Sequence, residues 1–137
     1  CWGHQPGIVR PILAAPVAGG MIMADLETFR YDGPDAPQVR KRGERGDSHD
    51  LITNERVIST IQIMKKGQAN SMHSHTDQDG YWFVLTGRAR FHGIGEEILA
   101  EVGANEGVYV PHHTRYWFES VDDEPLQILR VSQLIAS

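Results

Sequence analysis

From Arg56 onward the chain is a succession of short apolar runs, and none has the period of an amphipathic helix. Residues 56–64 are rich in β-branched side chains, and apolar and polar residues interleave from Ile58 to Met64. A period of two sends neighbouring side chains to opposite faces of a strand, where branched side chains pack well. Residues 81–85 read as an aromatic strand, and Thr86-Gly87 turns it into residues 88–92. Gly93 and Gly95 turn the chain again into residues 96–102, and runs at 107–110, 116–121 and 125–131 follow. Short strands at even spacing, divided by Gly, Pro and Asp, predict an all-β antiparallel sandwich or barrel.

A chain of 137 residues suits one domain, which at this size buries a core without disulfide staples. Its single cysteine, Cys1, has no internal partner. The formal net charge of -5 argues against DNA or RNA as a partner, because nucleic-acid binders present basic faces. No apolar run reaches the roughly 18 residues that span a bilayer. The expected setting is therefore the cytoplasm, with no membrane contact. Residues 1–22 lack the pattern of the rest and read as an N-terminal tail, arm or leader, with Met21 or Met23 as a possible natural start. Residues 23–137 make the barrel domain. Residues 32–50 are polar and turn-rich and read as a surface loop. Their cluster Arg40, Lys41, Arg42 and Arg45 is either a solvated face or a grip for an anion, with the first reading favoured.

His73 and His75 are the residues most suited to chemistry. Two imidazoles at i and i+2 on an extended segment share a face and can converge on one ion. The spacing alone is equally that of two solvent-facing histidines. Among the other histidines, His92 follows a hairpin strand and reads as surface. Gln62 and Gln127 sit among apolar residues and, if buried, need hydrogen-bond partners.

The run from Gly67 through His73 and His75 to Gly87 resembles the first motif of the cupin superfamily: a glycine, His-x-His, a glutamate and a closing glycine. Residues 107–116, with Pro111, His112, His113 and Tyr116, resemble the second motif, whose core is Pro-x-Gly-x-x-His. The likeness covers about residues 55–131. It implies a double-stranded β-helix, or jelly-roll barrel, with a small-molecule site inside and a homodimer as the expected assembly. Two of the four ligand positions depart from the pattern. Gly80 stands at the glutamate, next to Asp79, and Tyr116 stands at the second-motif histidine. His113 stands at the motif glycine.

Three readings follow from the resemblance. A divalent metal (Zn, Fe, Mn or Ni) is held by His73 and His75 with Asp79, His113 or a Tyr116 phenolate, and serves isomerase, cyclase, lyase or dioxygenase chemistry. Alternatively His73, His75 and Tyr116 act directly as acid, base and donor in a metal-free sugar-type isomerase or epimerase. The third reading is a barrel that only binds its ligand. The metal reading is the leading one. Strand alternation turns Trp82, Val84, Tyr116 and Phe118 inward. The expected pocket is thus lined by Trp82, Tyr116, Phe118 and Gln62, while Phe83 and Trp117 are read as core. Gly80 in place of a carboxylate leaves space beside the histidines for a carboxylate or phosphate of the substrate.

Overall fold

A computed structural model describes residues 25–135. The expectations for residues 1–22 lie outside the described residues. Among the described residues nine strands form two antiparallel sheets: β1 (Arg40–Lys41), β2 (Asp47–Thr53), β3 (Val57–Met64), β4 (Gln78–Thr86), β5 (Arg88–His92), β6 (Ile98–Gly103), β7 (Gly107–Val110), β8 (Trp117–Ser120) and β9 (Leu126–Leu134). The larger sheet has the order β1-β2-β3-β9-β4-β7, and the smaller has the order β6-β5-β8. The last strand thus lies in the middle of the large sheet, between β3 and β4. This is the double-stranded β-helix that the sequence predicts. Among the described residues no helix is long and apolar enough to cross a membrane.

Period-two patterning explains the core between the sheets. On β4 the alternation buries Trp82 and Val84, on β5 Ala89 and Phe91, and on β9 Leu126 and Ile128. Phe118 completes it from β8 and is wholly buried. Its ring meets Trp82 edge-on at 4.7 Å and Phe91 at 5.0 Å between centroids, the arrangement that aromatic quadrupoles prefer. The pocket role expected for Phe118 is therefore corrected: it is core. Phe83 and Trp117, read as core, are only partly buried.

The other face of the large sheet carries a second cluster. Ile61 and Ile63 project away from the barrel and are covered by Val39, Tyr31 and Ala36. Tyr31 donates to Gln127 Oε1 at 2.5 Å, and Gln127 Nε2 donates to Thr86 Oγ1 at 3.0 Å. Gln127 thus ties the segment before β1 to the sheet. The reading of 32–50 as surface loop is corrected at its end, since residues 47–50 belong to β2 and pair with β3. Ser48 and His49 there are buried, and the His49 ring meets the Arg30 carbonyl oxygen at 3.0 Å. His92, read as surface, is also buried. Its Nε2 lies 2.6 Å from Glu119 Oε2 and its ring stacks on Trp117 at 4.1 Å.

Removing a fully buried phenyl ring costs its transfer free energy plus that of the cavity left behind. Phe118→Ala is expected to lower the unfolding free energy by about 3–5 kcal/mol in urea denaturation. A loss under about 1 kcal/mol would place the ring outside the core.

Candidate functional site

His73 and His75 lie on the segment joining β3 to β4, which runs extended alongside the approach to β8. His73 exchanges both backbone hydrogen bonds with Tyr116, each at 3.0 Å. Asn70 reinforces this: its N–H donates to the Phe118 carbonyl at 3.1 Å, and its Oδ1 accepts from the Phe118 N–H at 2.7 Å. The His75 carbonyl accepts from the His113 N–H at 2.6 Å. The two motifs are therefore stitched together through their backbones, which fixes where both imidazoles stand.

The rings pack as a group. His73 and His75 meet edge-on at 5.2 Å, and His73 tilts against Tyr116 at 4.5 Å. His73 Nδ1 is 2.7 Å from the Ser71 carbonyl oxygen. A carbonyl only accepts, so Nδ1 carries a proton and Nε2 is left for a ligand. Tyr116 is 3% exposed, and its hydroxyl accepts from Trp82 Nε1 at 3.1 Å. Burial pushes the phenol pKa up, against smaller opposing effects of Trp82 and Arg130. Tyr116 is thus a neutral donor, not a phenolate.

Arg130 is the residue that the sequence reading missed. It sits on β9 in the inward register of Leu126 and Ile128, and this alternation was the available signal. Its Nη2 donates to Gln78 Oε1 at 2.7 Å and its Nε to Ser132 Oγ at 2.9 Å. Its guanidinium carbon stands 5.9 Å from the centre of the Trp82 ring, within cation–π range. The same Nη2 reaches His75 Nε2 at 3.4 Å. Burial, then the charge of Arg130, then His73 hold the His75 pKa below its ordinary value of 6.5, so His75 stays neutral at neutral pH.

Two spaces adjoin the group. The inner one holds only about 10 Å³ between His75, Trp82, Tyr116 and Arg130, the scale of one water. The outer one is a cleft of about 310 Å³ at the barrel mouth. His73, His75, Trp82 and Arg130 form its inner side, with Gln62, Asn70 and Ser71 beside them. Arg42 and Arg45, from the short 3-10 turn Gly43–Arg45 and the residue before it, line it too. Gly46 makes that placement possible. It has a φ of 84°, and a β-carbon there would come within 2.4 Å of the Ile63 carbonyl oxygen. The cationic loop thus rests directly on β3.

The remaining expected ligands do not join the histidines. Asp79 Oδ1 is taken by the His112 N–H and Nδ1, both at 2.8 Å, and these bonds hold its pKa below the ordinary value. His113 has a φ of 71° and an exposed side chain tilted against His112. Gly80 does not open the pocket. A β-carbon there would sit 2.7 Å from the Val131 carbonyl oxygen and 2.8 Å from Ser132 Oγ, because β9 has closed onto it. A glutamate at this position therefore requires β9 to move. Among the described residues no three His, Cys, Asp or Glu side chains are grouped to hold a metal. Two imidazoles, one facing a guanidinium, do not match the three or four ligands of a firm site. The donor set does not fit a resident divalent metal.

A model of the cupin domain matches residues 60–132, and the chain belongs to that family. Its fold is similar to that of an RmlC-like cupin protein from Desulfovibrio desulfuricans, with a TM-score of 0.64 at 20% identity, covering 78% of this chain and 97% of that one. It is also similar to KdgF from a Halomonas species, with a TM-score of 0.58 at 16% identity over 77% and 94% of the two chains. At these identities the likeness shows the fold alone. A stretch of 70 residues is 33% identical to part of mannose-1-phosphate guanylyltransferase 2 of Escherichia coli O157:H7, which is 51% of this chain and 14% of that protein. The chain therefore spans a small fraction of that relative.

Metal binding that stabilises a fold shows as a saturable rise in melting temperature. One equivalent of Zn²⁺, Fe²⁺, Mn²⁺ or Ni²⁺ is expected to leave the melting temperature unchanged. A rise that saturates at one equivalent and disappears in His73→Ala would show that the pair is completed by a further donor.

Proposed function

We propose that this cupin acts on a small hydroxylated molecule in the mouth cleft by general acid–base chemistry, as an isomerase or epimerase working through its own side chains. One observation carries the reading: two imidazoles with different environments adjoin the same cleft. His75 is kept neutral by burial and by Arg130, which suits a base. His73 has Nδ1–H committed to Ser71, so it exchanges protons only through Nε2. Such a pair can take a proton from a carbon next to a carbonyl and return one to a different position or face. In this scheme neutral His75 removes the proton, and His73, carrying a second proton on Nε2, delivers that one to the carbon. Tyr116, a neutral phenol beside the inner space, accepts the Trp82 indole N–H and so holds that ring at the cleft wall.

The test is incorporation of solvent deuterium into candidate aldoses, ketoses and their acid and phosphate derivatives, followed by NMR with a chelator present. The native chain is expected to exchange a carbon-bound hydrogen of at least one of them. His73→Gln and His75→Gln should each slow exchange by about 10²-fold or more, the usual contribution of a positioned acid or base. No exchange by the native chain, or equal exchange by both variants, contradicts the proposal.

A further inference from the structure

Arg130, Arg42 and Arg45 face one cleft, and among the described residues none of the three makes an ion pair. Elsewhere on the chain Arg40, Arg88 and Arg90 do find carboxylates. Arg56 and Arg115 also lack one, but both are exposed and outside the cleft, which gathers three such guanidiniums in a chain whose net charge is -5. No aspartate or glutamate lines the cleft. Arg130 is half-buried, and its three contacts, Gln78, Ser132 and His75, are neutral groups. Taking a guanidinium partly out of water without a counter-charge is costly, and the usual compensation is an anion. Arg42 shows the same tension: burial first, then Arg45 and Arg40, pulls its pKa below the ordinary value against a smaller opposing effect of Asp50.

A second observation points to hydroxyl groups on the same ligand. Gln62 Oε1 is buried and has no hydrogen-bond partner, although Gln62 lines the cleft. A buried amide oxygen left unpaired is an acceptor waiting for a donor, and a ligand hydroxyl is one. The cleft volume of about 310 Å³ sits at the small end of ligand sites, enough for a compact molecule.

We infer that the mouth cleft recognises a small phosphate monoester with a hydroxylated organic part, its dianion held by Arg130 from β9 and by Arg42 and Arg45 from the rim loop. Three guanidiniums in a cleft that no carboxylate lines exceed what one carboxylate compensates, and guanidinium forks match phosphate oxygens in pairs. This deepens the proposed function by naming the substrate class, and it rests on that reading for the site but not for the chemistry.

The probe is glycerol 1-phosphate, titrated into the full chain at fixed ionic strength and followed by amide and side-chain NMR shifts. Saturable shifts are expected at Arg130, His75 and the loop 42–45, with glycerol alone giving none. Inorganic phosphate should compete for the same shifts, and acetate should not. Arg42→Met with Arg45→Met, on an exposed loop, should weaken binding about tenfold or more, as should Arg130→Met. Arg56→Met, an exposed arginine outside the cleft, should leave it unchanged. Absence of saturable shifts, binding indifferent to the cleft arginines, or displacement by malonate better than by phosphate overturns the inference. Phosphate monoester binding in a chain that exchanges no substrate hydrogen removes the acid–base reading and leaves this one standing. Exchange confined to uncharged sugars does the reverse.

Discussion

A guanidinium held half in and half out of the barrel, against the face of Trp82 and among neutral partners, sets the character of everything around it. Arg130 bridges Gln78, Ser132 and His75, which come from β4, β9 and the segment between β3 and β4. Its charge adds to burial in keeping His75 neutral. Through Trp82, whose indole N–H reaches Tyr116, the guanidinium is connected to the phenol and so to the ring of His73. A cation placed here is also repelled from the position at which His75 would coordinate a metal. The same charge disfavours a cation beside His75 and favours an anion there.

The backbone fixes this arrangement more firmly than any side chain. His73 and Tyr116 exchange paired hydrogen bonds, and His75 receives one from His113, so both imidazoles are set by main-chain geometry. Close approach of β9 to Gly80 shuts the inner barrel down to the volume of about one water. The open space beside the histidines is thereby at the mouth, where the loop carrying Arg42 and Arg45 rests on β3 through Gly46. Fold and charge act together: a filled barrel interior and a cationic rim define one cleft.

Much of the fold was legible because strands announce themselves locally. Short β-branched and aromatic runs divided by Gly, Pro and Asp located β3 to β9, and strand alternation turned Trp82, Val84 and Phe118 inward. β2 was not legible. Its Asp47, Ser48, His49 and Asp50 look like loop, yet His49 is buried because Arg30 and Tyr31 cover the face it shares with Ile61, and Ser48 is buried on the opposite face, in register with Gln62. The histidine pair stood out through its spacing and the family motifs. Its partners did not, because they depend on contacts between distant residues. Asp79 is drawn away by His112, and a solvated reading of Arg42 and Arg45 gave no hint that their loop folds over the mouth. Arg130 was readable in principle, as a charge at an inward strand position, and Phe118 shows the limit of the same rule. Inward-facing means core unless a cavity lies in front of the residue.

The most direct test of the account is the pH titration of the His75 ring by NMR in the native chain and in Arg130→Met, with amide spectra confirming the fold of both. Native His75 is expected to titrate below the ordinary 6.5, and removing the guanidinium to move it upward, with burial keeping part of the depression. The sign follows because Arg130 opposes a second positive charge on the imidazole. A native His75 that titrates at or above 6.5, or that does not move in the variant, would contradict the account.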